Sequence, residues 1–380
     1  MIKSISLGRI CLGALTTIFL GSCQQNSTEN KNAGKETNAN SFLNGVVTTI
    51  AGTEKGDYFG DGGPAKSAQF NQPYGIAFNS KGELFIADKD NNRIRKITTD
   101  QKIVTVAGTG HGGYSGDGGL AEKAEIWGPR AIAIDAQDNI YFADGSNHVV
   151  RKIDAKGIIT TVAGSGNRGY SGDGGLSVKA SLDVPVGIAL DAVGNLYIAE
   201  NVNNRVRKVD TQGVITTLAG DGEQSFAGDG GPAAISRLFS PGGVATSTDG
   251  TIYIADSWNK RIRKIDKGGV ITTYAGNPDT QKWGHGGNAI DAALANPELL
   301  LIYKNDIYFT AVGSHAIRKI DSNGIIHLVA GTAQDSSGYR DGALEASLFN
   351  APKGLAFDNA GNLFVADTYN NCIRKIEFKK

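Results

Sequence analysis

Short apolar segments separated by polar turns recur along most of the chain. In one stretch four of them follow one another: VGIALD (186–191), NLYIAE (195–200), RVRKVD (205–210) and VITTLAG (214–220). They are rich in β-branched and aromatic residues and are bounded by Gly, Asn and Asp, which is typical of β-strands and turns. The first two segments are apolar at successive positions, which indicates a sheet covered on both faces. The pattern therefore predicts four-stranded sheets packed face to face.

These segments return with a nearly constant period. The sequence GYSGDGG occupies residues 113–119 and again 169–175, and its aspartate recurs every 56 residues at Asp61, Asp117, Asp173 and Asp229. Related sequences are YFGDGGPA (58–65), SFAGDGGPA (225–233), WGHGGNA (283–289), in which His285 replaces the aspartate, and GYRDGAL (338–344). Repeats of this length are typical of propellers, solenoids and other arrays, whose neighbouring copies merge into one cooperative domain.

The two ends of the repeat region indicate how the array closes. Six segments fit the last strand of a repeat: VVTTIAG (46–52), IVTVAG (103–108), IITTVAG (158–164), VITTLAG (214–220), VITTYAG (270–276) and IIHLVAG (325–331). The final set of three inner strands ends with CIRKIEFKK, so VVTTIAG is expected to supply its missing outer strand. We predict an all-β fold over residues 44–380, a six-bladed β-propeller whose ring is closed by the N-terminal strand joining the last blade.

A family resemblance agrees with this fold. The segment PYGIAFNSKGELFIADKDNNRIRKI (73–97) resembles the NHL repeat, and tandem copies of the pattern cover residues 46–380. The resemblance implies a six-bladed propeller of NHL-type repeats. It leaves function open, because NHL propellers include scaffolds that bind proteins or RNA as well as a peptide-amidating lyase.

The N-terminal segment resembles a bacterial lipoprotein signal. Lys3 and Arg9 precede the apolar stretch ICLGALTTIFL, and LGSC follows at once. The resemblance implies a signal peptide over 1–22, cleavage before Cys23, and a diacylglycerol and an acyl chain such as palmitate on Cys23. Residues 23–43 are then a flexible polar tether. We expect a protein anchored by lipid to a membrane of the bacterial cell envelope, facing the periplasm or the exterior; an ordinary secretory signal is the alternative.

Charge and cysteine content argue against nucleic-acid binding, disulfide bonds and thiolate metal sites. The chain has 38 basic and 38 acidic residues, which gives no reason to expect a nucleic-acid partner. Of three cysteines, Cys11 lies in the signal and Cys23 is the lipidation site, so Cys372 has no partner for a disulfide or a thiolate metal site. Cys372 falls within a predicted strand, where a buried, inert thiol is expected.

Polar residues that recur in every repeat are interpreted as structural. An Arg-Lys pair appears six times, beginning with Arg95 and Lys96, and we expect these arginines to bond carbonyls or carboxylates between blades. A carboxylate ends the second strand in five repeats, at Asp88, Asp144, Glu200, Asp256 and Asp367, whereas the fifth repeat has Ala311. We expect these acids to accept bonds from the following turn, and GDGG to form a tight loop between blades with its aspartate in an Asx turn. A basic track for nucleic acid, a carboxylate ring and a calcium loop are the alternatives.

Catalytic residues are expected to occur in one repeat and not at the equivalent positions of the others. The amidating lyase with this fold holds zinc with histidines, but His148 and His315 fall in equivalent turns on opposite sides of the ring, and no three histidines are predicted to converge. Gluconolactonase-like propellers hold a divalent metal with acids and amides, for which Glu298 stands in a suitable place. A lyase or lactonase with a metal in the central channel is therefore the alternative function, and an architectural spacer is a third.

Positions that change from repeat to repeat on one rim are the best candidates for ligand binding. They flank the proline that begins each inner strand and lie in the turn after the second strand. We predict a carbohydrate or protein ligand and no cofactor, with calcium kept as an alternative. The predicted ligand-binding residues are Tyr74, Trp127, Arg130, Phe239, Trp258, Glu298, Lys353 and Tyr369.

Overall fold

The computed structural model describes residues 43–379, which form six β-sheets. The first strand is β1 (Gly45–Ala51). Blade one contains β2 (Pro73–Phe78), β3 (Leu84–Asp88), β4 (Arg93–Ile97) and β5 (Ile103–Ala107), and blade two contains β6 (Pro129–Ile134), β7 (Ile140–Asp144), β8 (Val149–Ile153) and β9 (Ile159–Ala163). Blade three contains β10 (Pro185–Leu190), β11 (Leu196–Glu200), β12 (Arg205–Val209) and β13 (Ile215–Ala219), and blade four contains β14 (Gly243–Thr246), β15 (Ile252–Asp256), β16 (Arg261–Ile265) and β17 (Ile271–Ala275). Blade five contains β18 (Pro297–Tyr303), β19 (Asp306–Ala311), β20 (Ala316–Ile320) and β21 (Ile326–Ala330), and blade six contains β22 (Gly342–Ala343), β23 (Leu355–Phe357), β24 (Leu363–Asp367) and β25 (Cys372–Phe378).

Short 3₁₀ helices punctuate the connections. Six lie in the crossings between blades: Ala65–Ser67, Ala121–Lys123, Ser177–Lys179, Ala233–Ile235, Ala289–Asp291 and Leu344–Ala346. Five follow the second strand of a blade: Lys89–Asn91, Gly145–Asn147, Ser257–Asn259, Val312–Ser314 and Thr368–Asn370. Within residues 43–379, no helix has the length and apolar character needed to cross a membrane.

The ring closes as the sequence predicts. The innermost strands β2, β6, β10, β14, β18 and β23 contact one another in turn, and β23 contacts β2. Strand β1 pairs antiparallel with β25, from Gly45 opposite Phe378 to Ala51 opposite Ile373. The short β22 pairs with the other edge of β1, so blade six has five strands where four were expected. The described residues therefore form the predicted six-bladed β-propeller.

The hydrophobic core lies between the blades. Strands β3, β11 and β24 are buried at every position, in agreement with sheets covered on both faces. Ala87 and Ile94 of blade one pack with Phe142 and Ile153 of blade two, all of them buried. Burial of one such large side chain contributes about 1.5–3 kcal/mol, so each blade is stabilised mainly by its neighbours. Cys372 is buried in β25, and burial raises the pKa of its thiol, as expected for an inert cysteine.

The third strand of each blade carries a buried arginine. In blade one, Arg95 Nη2 donates to Asp61 Oδ1 at 2.5 Å and Arg95 Nη1 donates to Asp88 Oδ2 at 3.2 Å. Asp61 Oδ2 also accepts the backbone N–H of Thr105 at 3.0 Å. The carboxylate therefore joins the incoming crossing to the outer two strands, and does not form the Asx turn that we expected. The six buried residues, which we call the core arginines, are Arg95, Arg151, Arg207, Arg263, Arg318 and Arg374.

The carboxylate that ends the second strand binds the following turn, as predicted, but through a side chain instead of the turn's backbone, and it also binds a second segment. Asp88 Oδ1 accepts the backbone N–H of Asn71, two residues before the inner-strand proline, at 2.8 Å. Its other oxygen accepts Asn91 Nδ2 of the following turn at 2.9 Å. The acid thus binds the turn through a side chain, and holds the start of the inner strand through the backbone. The same backbone bond is made by Asp144, Glu200, Asp256 and Asp367.

Candidate ligand-binding site

The crossings between blades and the turns after the second strands lie at one face of the propeller. Because adjacent strands of a blade are antiparallel, the inner strands begin, the second strands end and the crossings run at the same face. We call it the crossing face; the hairpins that join first to second and third to fourth strands lie at the opposite, hairpin face. All eight predicted ligand-binding residues belong to the crossing face by their place in the strands and turns.

Backbone bonds fix a pair of neighbouring side chains at this face in most blades. In blade two, the backbone N–H of Trp127 binds Asp144 Oδ1 at 2.7 Å, and the backbone N–H of Ser146 binds the Trp127 carbonyl at 3.1 Å. The second of these bonds recurs in four other blades, whereas in blade three Asn201 binds the Val184 carbonyl instead. We call the linked residues the rim pairs: Asn71 with Asp90, Trp127 with Ser146, Phe239 with Trp258, Ala295 with Gly313, and Asn350 with Tyr369. Since the bonds involve the backbone, the side chains are free to differ.

Exposed aromatic side chains occupy the rim pairs of alternate blades. Trp127 in blade two is 52% exposed, Trp258 in blade four is 61% exposed and Tyr369 in blade six is 56% exposed. Phe239 is half-buried beneath its partner, with its ring centroid 5.4 Å from that of Trp258. Large aromatic surfaces left in solvent at fixed positions are suited to stacking on a ligand.

Four residues that follow inner-strand prolines, or their equivalents, meet at the mouth of the channel. Tyr74 Oη donates to Glu298 Oε1 at 2.5 Å, and Lys353 Nζ lies 3.0 Å from the same oxygen. The Arg130 guanidinium carbon is 5.6 Å from the centroid of the Tyr74 ring. These residues, the mouth cluster, come from blades one, two, five and six. They connect blades that are far apart in the sequence.

Burial controls the electrostatics of the mouth cluster. It raises the pKa of Tyr74, and the nearby Glu298 carboxylate raises that pKa further, so the phenol is a neutral donor. Burial alone would lower the pKa of Lys353, but Tyr74 and Glu298 outweigh it and raise the pKa above its ordinary value. Lys353 is therefore charged at neutral pH and neutralised by Glu298.

Arg130 differs from the other charged residues of the mouth cluster. Among residues 43–379 its guanidinium has no hydrogen-bond or ion-pair partner, although its Nε is buried. A guanidinium presents five N–H donors in a planar fork that matches carboxylate and other oxygen acceptors. Arg130 is consequently the donor at the mouth that is available to a ligand.

Behind the mouth cluster, most side chains that line the channel are apolar. It forms a cavity of about 330 Å³ lined by inner-strand residues, including Phe78, Ile188, Val244 and Leu299. The lining begins directly after the mouth residues, at Gly75 in blade one, so Tyr74 and its partners stand at its entrance.

The residues considered for a metal make other contacts. His148 Nδ1 accepts the backbone N–H of Val184 at 3.2 Å, and His315 Nδ1 accepts that of Ala351 at 3.0 Å. In blade one, Asn92 Oδ1 makes the same bond to Gly128, so these histidines are turn residues that join one blade to the next. In the part of the chain that the structure describes, no three His, Cys, Asp or Glu side chains are grouped to hold a metal ion. The Glu298 carboxylate is bound by a phenol and an ammonium group.

The structure divides the predicted site residues into two sets. Tyr74, Arg130, Glu298 and Lys353 lie together at the mouth, and Trp127, Phe239, Trp258 and Tyr369 lie on the rim. Tyr74 is only 3% exposed, so it supports the other mouth residues and is not an exposed aromatic. Sequence analysis missed the backbone partners of the rim residues, such as Ser146. These partners always occupy the second residue of the turn after the second strand, and this constant position could have identified them.

Comparisons with known proteins agree with this architecture. The family model of the teneurin NHL domain matches residues 109–171, 166–227 and 221–282, and the NHL repeat model matches residues 70–97 and 349–376. The chain is thus a six-bladed β-propeller. Its blades are NHL repeats.

Similar proteins come from several sources. Protein SUPPRESSOR OF QUENCHING 1, chloroplastic, of Arabidopsis thaliana is 32% identical over 314 residues, which is 78% of this chain and 29% of the plant protein. The chain therefore spans less than a third of the length of that relative. The crystal structure of an auxiliary nutrient binding protein from Bacteroides thetaiotaomicron has a TM-score of 0.63 at 20% identity, covering 88% of this chain and 77% of the other. Virginiamycin B lyase from Staphylococcus aureus has a TM-score of 0.51 at 18% identity, covering 88% and 98%. The two structures show a shared fold.

The mouth cluster yields a prediction about stability. Glu298→Gln removes the negative charge beside a mostly buried ammonium, and we expect it to lower the free energy of unfolding by about 2–4 kcal/mol. Adding Lys353→Met should recover most of this loss, because no unpaired charge then remains. Denaturant unfolding of both variants measures the effect, with Asp100→Asn in the exposed Asp100–Lys102 pair as a control that should change nothing. Losses that simply add in the double variant would contradict the ion pair.

Proposed function

We propose that the protein is a non-catalytic binding module that uses the crossing face to bind a carbohydrate or protein ligand. The observation that carries this proposal is the rim pairs. Their backbones are held by the same hydrogen bonds in most blades, while their side chains differ from blade to blade. Residues that the blade does not require are the ones that a ligand can select.

The chemistry of the face suits such a ligand. Trp127, Trp258 and Tyr369 offer apolar faces that stack on sugar rings or fill pockets of a protein partner. Arg130 adds free N–H donors near the centre of the ring, and hydroxyl, carboxylate and carbonyl oxygens are its natural acceptors. A ligand that combines flat apolar surface with oxygen acceptors would engage both the rim and the mouth.

The similar structures give modest support. One protein with this fold is an auxiliary nutrient binding protein from Bacteroides thetaiotaomicron, and a binding function for the present protein agrees with it. Virginiamycin B lyase from Staphylococcus aureus has the same fold. A lyase or lactonase with a metal in the channel is therefore the competing function. Glu298 is its candidate acid, but the Tyr74 phenol and the Lys353 ammonium already occupy that carboxylate. This arrangement favours the binding function.

We also propose that the module is attached to a membrane of the bacterial cell envelope through lipid on Cys23. The support is the sequence of residues 1–23, with its basic start, short apolar stretch and LGSC motif. The signal peptide at 1–22 and the tether at 23–43 lie outside the described residues, apart from Leu43. A tether of about 20 residues would let the crossing face reach ligands away from the membrane surface.

Binding by the crossing face can be tested with three single alanine substitutions. We expect Trp127→Ala, Trp258→Ala and Arg130→Ala each to weaken binding by about 1–3 kcal/mol without changing thermal stability, because the two tryptophans are exposed and Arg130 makes no hydrogen bond or ion pair within the described chain. A glycan array and a pull-down from envelope extract first identify the ligand, and titration calorimetry then measures its affinity for each variant. Val193→Ala is the control, since Val193 is also an exposed apolar residue but lies in the β10–β11 hairpin at the opposite face. Full affinity in all three variants, or an equal loss in the control, would exclude this face.

The anchor has its own test. Cys23→Ser removes the thiol that carries the diacylglycerol, so the variant should move from the membrane fraction to the soluble fraction after cell lysis. Fractionation and mass spectrometry of the N-terminal peptide measure the change, and Cys11→Ser is the control that should remain lipidated. A Cys23→Ser protein that still sediments with membranes would show that the attachment lies elsewhere.

A further inference from the structure

Blade five breaks the charge pattern of the other blades. In five blades the core arginine is paired with two carboxylates, one from the crossing and one from the end of the second strand. In blade four, for example, Arg263 Nη2 lies 2.5 Å from Asp229 and Arg263 Nη1 lies 3.2 Å from Asp256. In blade five the corresponding residues are His285 and Ala311, so both carboxylates are missing.

Arg318 is nevertheless as buried as its counterparts. It is 1% exposed, and its guanidinium donates to the carbonyl of Ala293 at 2.5 Å and to that of Trp283. It forms no ion pair with any residue from 43 to 379. Burial lowers the pKa of Arg318 to about 9, which still leaves the guanidinium charged at neutral pH. A buried charge without a counter-ion is strongly unfavourable, so this blade needs a negative partner.

A small cavity lies beside the guanidinium. Its volume is about 10 Å³, enough for one particle close to the size of water or chloride. Arg318, His285, Ser314 and Thr332 are among the residues that line it. His285 Nδ1 is buried and has no hydrogen-bond partner within the described chain. The cavity thus offers the Arg318 guanidinium and polar groups, and Asp335 is the carboxylate among its lining residues.

We infer that blade five binds a small monovalent inorganic anion, of the size of chloride, between Arg318 and His285. The anion takes the electrostatic role that carboxylates have in the other blades. Asp335 also lines the cavity, but it makes no ion pair with Arg318. Its side chain is the competing source of negative charge, and the test must separate the two.

Thermal unfolding in chloride and in gluconate at equal ionic strength, about 0.15 M, provides the test. Gluconate is too large for the cavity, so chloride should raise the unfolding midpoint by roughly 2 °C if it is present at about ten times its Kd. Ala311→Asp supplies the missing carboxylate and should raise the midpoint in gluconate while abolishing the chloride response. Arg318→Met should also abolish the response. Arg237→Met, which removes an exposed arginine of blade four, should keep it.

Two results would overturn the inference. The first is a midpoint that does not differ between chloride and gluconate. The second is a loss of stability in Asp335→Asn that is the same in both salts, because Asp335 would then be the counter-ion. Crystals soaked in bromide give a check that does not depend on folding of the variants. We expect an anomalous peak beside Arg318 and none beside the other five core arginines; no peak in blade five, or equal peaks in all blades, would contradict the site.

Discussion

A buried guanidinium between two carboxylates sets the geometry of five of the six blades. The arginine lies on the third strand, one acid ends the second strand and the other lies in the crossing that enters the blade. Because each acid also accepts a backbone N–H, the charged group holds the inner strand and the outer strand in one arrangement. Such a buried network is costly to break at any single member, which accounts for the recurrence of its residues in repeat after repeat.

The same network makes the rim available for function. The second-strand acid holds the backbone at the start of the inner strand, so the side chain there is not required for folding. Its position can therefore carry Trp127 in one blade and Asn350 in another. The residues of the mouth cluster, in contrast to those of the rim, are held by contacts between their side chains. Tyr74, Glu298 and Lys353 depend on one another across the ring, and only the closed propeller brings them within reach.

The fold was predictable from the sequence because it depends on local features that recur in each repeat. Strand length, turn residues and the period of Asp61, Asp117 and Asp173 are all visible without knowledge of distant contacts. Ring closure by β1 was predictable for the same reason. The contact between Tyr74 and Glu298 was not, since it joins residues more than 200 positions apart and depends on the curvature of the ring. The burial of Tyr74 and the added strand β22 escaped prediction for similar reasons. The rim residues stay predictions.

The central claim is that the second-strand carboxylate holds the rim in place, and amide hydrogen exchange in Asp256→Ala tests it most directly. Asp256 accepts the N–H of Phe239, whose carbonyl in turn accepts the N–H of Trp258. We expect exchange at these two amides to accelerate by about tenfold or more relative to the wild type, while amides in the core of blade one keep their protection. Asp249→Ala, at an exposed acid of the same blade, should leave both amides unchanged. Unaltered protection of Phe239 and Trp258 in Asp256→Ala would contradict the account.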